Sequence, residues 1–189
     1  MRFAPYLVLA FAAVACVAQP SQQEEVPAVS LDDWHREEIA MPPQFAPDLP
    51  AGEEVLMFAP GMFDPEDDGF WSYVFLMRVE ESDLSEARIL EIFELYYDGL
   101  LETVAADRNE HVGHDPAQVS LQSLGQGVYR LEISLMETFV TMESLLLHVW
   151  LEVQESEGAA TELRVKASPQ AEGHMIWEQL EVALKALSF

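Results

Sequence analysis

The chain has 189 residues, half of them hydrophobic, and carries nine Lys or Arg against 34 Asp or Glu for a formal charge of −25. The apolar content is enough for a buried core, so a disordered chain is excluded, and the length suits one domain. Nucleic acid is excluded as a direct partner, because the long-range field repels a polyanion and no basic cluster is present to displace its counterions.

The first 18 residues read as a bacterial export signal. Arg2 and the α-amino group form a short positive region, and residues 3–15 are apolar, long enough for a signal core but too short for a stable membrane span. The polar run beginning at Gln19 follows, and no later stretch reads as a transmembrane helix. Two cleavage points fit the small-x-small pattern. Cleavage after Ala15 makes Cys16, the only cysteine, the new N-terminus; cleavage after Ala18 releases Gln19 instead. The first segment resembles a bacterial lipobox, with Ala13 where Leu is usual, and implies acylation of Cys16. The expected address is then the cell envelope, at the outer membrane if the source is Gram-negative, with the lipid as the membrane contact. Cleavage after Ala18 predicts a periplasmic or secreted protein. Either way no disulfide forms within the mature chain, and its eight basic residues face 34 acidic ones, a charge of −26. The acidic residues are spread along the chain, which fits a hydrated, salt-adapted surface or one that meets cations or a basic partner.

Residues 19–30, with Pro20 and Pro27, read as a flexible linker to a single domain over 31–189. Pro42, Pro43, Pro47 and Pro50 exclude a helix over 34–50 and predict an extended strap, packed on the domain through Trp34, Ile39, Met41 and Phe45. A strand follows with Val55, Met57 and Ala59 on one face. The next, Trp71 to Val79, alternates Trp71, Tyr73, Phe75, Met77 and Val79 against Ser72, Val74, Leu76 and Arg78. Asp83 and Glu86 suggest a capping pair for a helix from Leu84 to Ala106, marked by Ile89, Phe93, Tyr96, Leu100 and Val104. Strands are then predicted at Val119–Leu124, Val128–Thr138, Leu145–Val153 and Thr161–Ala167, joined by connections short enough for antiparallel neighbours. Ile176, Leu180, Ala183, Leu184 and Leu187 mark a last helix. The predicted fold is α+β: a twisted antiparallel sheet of about five to six strands with two helices packed on one face, in the order ββα, β-meander, α. In element order alone this is similar to PsbP-like domains and more loosely to helix-grip folds that hold apolar ligands, and a likeness at that level supplies no function.

Candidate sites are few. His111, His114 and Asp115 place two imidazoles and a carboxylate within five residues, a candidate zinc or copper site that needs a further ligand brought in by the fold. The loop from Asp64 to Gly69 begins like a calcium loop, but Phe75 stands where the bidentate Glu belongs. His148 with Glu152 four residues on, on the same strand face, is a candidate proton-transfer pair. The scattered methionines, among them Met57, Met62, Met77 and Met136, read as core filling rather than a copper(I) site. Gly-x-Ser-x-Gly is absent, and Gly125-Gln126-Gly127 precedes a strand, as a turn does, not a dinucleotide fingerprint. No cofactor is expected. The leading expectation is a lipid-anchored, non-catalytic module binding a protein or a small apolar ligand, with Trp71, Tyr73 and Phe75 facing the ligand. The alternative is a metal-binding protein or metal-dependent hydrolase using His111, His114 and Asp115.

Overall fold

A computed structural model describes residues 30–108, 115–156 and 159–189. Among them, no helix is long and apolar enough to cross a membrane. The chain opens as a three-strand meander, β1 (His35–Met41), β2 (Gly52–Phe58) and β3 (Tyr73–Val79), each antiparallel to the last. Helix α1 (Glu86–Asp107) then carries it from β3 to the far edge of the sheet. A second meander, β4 (Gln118–Gly125), β5 (Val128–Met136), β6 (Ser144–Ser156) and β7 (Ala160–Ser168), returns to pair β7 with β3. The resulting order is β1-β2-β3-β7-β6-β5-β4, and α2 (Ile176–Ala186) closes the chain.

The class is therefore α+β with an antiparallel sheet, as the sequence predicts, but the sheet has seven strands rather than five to six. The added strand is β1, cut from the expected strap. Residues 35–41 contain no proline, and every one of them takes a register partner on β2. The segment reads as polar because it is an edge strand whose side chains are mostly exposed.

The helices do not share a face, which corrects the expected layout. Ile89, Ile92, Phe93, Tyr96, Tyr97 and Leu101 of α1 join Tyr73, Phe75, Met77, Leu131, Leu147 and Leu163 in one core. On the other side Ile176, Leu180, Ala183 and Leu184 of α2 pack with Val55, Met57, Val74 and Leu76. Consecutive β3 residues point to opposite faces, so the strand is buried on both sides. Each large side chain fully buried this way contributes roughly 2 kcal/mol. Lys166 of β7 reaches Glu181 of α2 at 2.6 Å, and together with Lys185 holds that carboxyl below its ordinary range.

Local chemistry sets the ends of α1. Ser85, not Asp83, is the N-cap: its hydroxyl accepts the Arg88 N–H at 3.2 Å, while Asp83 sits at φ 56° in the preceding turn. At Gly99 the strap crosses the helix so closely that a Cβ would lie 2.0 Å from the Phe45 carbonyl oxygen. The helix accepts the weaker helix former because only hydrogen fits there.

Candidate functional site

At the β1–β3 end of the sheet, on the α1 side, the strap and the loop after β2 close over the strands and leave a cavity of about 660 Å³. Ile39 of β1, Leu56 and Phe58 of β2 and Tyr73 of β3 form its sheet wall. Tyr96 and Leu100 of α1 and Phe45 of the strap face them. Gly61, Met62 and Phe63 close one side, and Phe139 from the β5–β6 connection closes another.

Trp71 is the most constrained wall residue. It is 1% exposed, adopts φ 49°, and its indole N–H has no hydrogen-bond partner among the described residues. A bulky side chain in the left-handed region costs of order 1–3 kcal/mol and persists only where the surroundings hold it. Here the Trp71 backbone N–H donates to the Met62 carbonyl at 3.1 Å, and the indole packs edge-on against Phe139 with centroids 5.5 Å apart. Phe139 in turn stacks on Phe63.

Phe139 is positioned by Glu137, a fully buried carboxylate that accepts the N–H groups of Phe139 (2.5 Å), Val140 (2.9 Å) and Thr141 (2.5 Å) and the Thr141 hydroxyl (2.8 Å). Burial alone pushes this carboxyl up, but the donors around it outweigh that, and it stays below the ordinary carboxylate range.

Behind the apolar wall lies a buried polar cluster. The Tyr73 and Tyr97 hydroxyls hydrogen-bond at 2.5 Å. Glu54 shares the β2 face of Leu56 and Phe58 and is 1% exposed. The Tyr96 hydroxyl is the polar group that approaches it, short of full hydrogen-bond geometry, so neither carboxyl oxygen has a partner among the described residues. Burial pushes the Glu54 carboxyl up to about 8 against a small opposing effect of Tyr96. Burial likewise raises Tyr73, Tyr96 and Tyr97, so all three phenols stay neutral donors.

Of the aromatic residues expected to face a ligand, Trp71 and Tyr73 line the cavity, and Phe75 lies deeper in the core, stacked on Tyr96 at 6.0 Å. The sequence reading missed Glu54. The alternation that puts Val55, Met57 and Ala59 on the inward face of that strand leaves Glu54 on an outer one. The apolar run from Val55 to Phe58 was the available signal of a strand buried on both faces.

His111, His114 and Cys16 lie outside the described residues, and Asp115 is exposed ahead of β4. Among the described residues no group of three His, Cys, Asp or Glu side chains is placed to hold a metal. In the acidic loop, Asp64 and Asp67 accept the N–H groups of Glu66 and Gly69, at 3.0 and 2.7 Å, and so brace the turn. His148 faces Glu132 across the β5–β6 ladder at 3.8 Å, while Glu152 pairs in register with Arg164. A smaller cleft of about 220 Å³ beside His148 has both its cations engaged, Arg130 by Glu172 and Lys166 by Glu181. Met57 and Met77 point into opposite cores and do not form a site.

Comparison of the chain with family models, with curated proteins and with solved structures gives no match. Function therefore has to be argued from the geometry of the site.

Proposed function

We propose that the chain is an exported, lipid-anchored, non-catalytic module that holds a small apolar molecule in the cavity between α1 and the β1–β3 end of the sheet. The observation that carries this reading is the cavity itself. Its volume of about 660 Å³ falls in the range of small-molecule sites, and its walls are mainly rings and alkyl groups. Such walls gain by excluding water and offer a ligand shape and apolar contact, while the imidazole–carboxylate pair in the lining, His35 with Glu37 at 3.1 Å, stands exposed at the rim. Acylation of Cys16, with residues 19–30 as a tether, accounts for the lone cysteine and keeps the module at the envelope.

The test is fluorescence of the neutral probe 1-N-phenylnaphthylamine titrated with the mature protein. One-to-one binding with a Kd on the order of 1–10 µM is expected for a ligand of that size. Leu100→Trp fills the space from the helix side and abolishes the signal while the circular dichroism stays native. No binding by the wild type, or equal binding by the filled variant, overturns the proposal.

A further inference from the structure

The proposed cavity also carries a charge preference. No Lys or Arg lines it, whereas Asp33, Glu37 and Asp64 stand exposed at its rim together with His35, whose Nε2 lies 3.1 Å from Glu37 Oε1. Anionic ligands are therefore disfavoured at the mouth as well as by the net charge of the chain. The inner wall presents the rings of Phe45, Phe58, Trp71, Tyr73 and Tyr96, whose faces attract cations.

The independent observation is Glu54. It is 1% exposed, projects from β2 on the same face as Leu56 and Phe58, and lies behind the lining, next to the hydroxyl of Tyr96, whose ring lines the cavity. Both its carboxyl oxygens lack a partner among the described residues. A buried carboxyl left unpaired is a cost that a cation seated next to it removes, and a neutral or anionic ligand does not.

We infer that the ligand is an apolar organic cation, an amine or quaternary ammonium on a hydrocarbon or aromatic body, with its charge seated on the Tyr96 ring and Glu54 as the counter-charge behind that ring. This inference rests on the cavity being a ligand site. It carries a pH signature. Tyr96 and Tyr97 from α1 and Tyr73 from β3 face Glu54, and the carboxyl of Glu37 on β1 acts on Tyr96. The phenols stay neutral, so within this buried cluster Glu54 is the group that titrates. Its carboxyl is held protonated up to about pH 8, and a cation binding beside the carboxylate expels that proton. Affinity for the cation therefore rises by up to about tenfold per pH unit between about pH 6 and pH 8, then levels off.

The experiment displaces 1-N-phenylnaphthylamine from the mature protein with decyltrimethylammonium, 1-decanol and decanoate. All are used below their aggregation limits, in salt of about 0.15 M so that surface charge is screened. The cation is expected to displace at a concentration about tenfold or more below the alcohol at about pH 8, with decanoate weakest. Its advantage shrinks as pH falls, and in Glu54→Gln it is lost and flat with pH while the neutral probe still binds. Equal displacement by cation and alcohol in the wild type overturns the inference and leaves the cavity reading standing, as does an undiminished cation preference in Glu54→Gln. Failure of the neutral probe to bind at all overturns both.

Discussion

Replacing Glu54 by Gln is expected to stabilise the protein, by an amount that grows with pH. In the folded chain the carboxyl is raised from 4.5 to about 8 by burial. Between those values the folded state holds a proton that the unfolded chain has released, so stability falls as pH rises, by up to about 1.4 kcal/mol per unit. The accumulated cost is about 3 kcal/mol at pH 7 and about 4 kcal/mol at pH 8, and levels off near about 5 kcal/mol above that. Glutamine does not titrate, and near pH 4.5 it differs little from the protonated acid, since both bury one unpaired polar head group. Urea unfolding followed by tryptophan fluorescence at several values from about pH 5 to 9 gives both stability curves. They should meet at the acid end and diverge to about 3 kcal/mol by neutrality, which corresponds to roughly 6–12 °C in Tm for a domain of this size. The self-repulsion of so acidic a chain affects both proteins alike and cancels in the difference. Parallel curves, or a variant less stable than the wild type near neutrality, refute the assignment of Glu54 as a buried acid without a partner.

Gly99→Ala should destabilise by about 1–3 kcal/mol in the same unfolding assay, because the clash with the Phe45 carbonyl outweighs the roughly 1 kcal/mol by which alanine is the better helix former; a stabilised variant would show that the strap does not cross so closely. Glu137→Gln removes an ionised acceptor for three backbone N–H groups and should cost about 2–4 kcal/mol near neutrality, with weaker 1-N-phenylnaphthylamine binding as Phe139 loosens. Because the folded Glu137 carboxyl lies below its ordinary range, its contribution is present above the usual carboxylate pKa and is lost as pH falls through the folded value, so the gap between wild type and variant should close in acid. Intact mass of the protein extracted from its native envelope should correspond to a chain starting at Cys16 plus acyl groups; a mass starting at Gln19 would remove the lipid anchor from the proposal.

Periodicity alone determined most of the elements. The alternation of Tyr73, Phe75, Met77 and Val79, the stripe of Ile89, Phe93 and Tyr96, and the short turns of the second meander place two helices and six of the seven strands, because side-chain period follows directly from backbone geometry. The single cysteine likewise rules out a disulfide within the chain without any coordinates. Strand β1 was obscured because an edge strand needs apolar residues on little of its surface, and HREEIAM has few. Which face each helix covers was decided only by the fold. Val74 and Leu76 make β3 apolar on both sides, and period two states that faces alternate without saying what covers each. The same holds for the site. Glu54 looks like one more acid in an acidic chain until β1, β3 and α1 enclose it, since burial is a property of the neighbours that long-range packing supplies and not of the residue or its spacing.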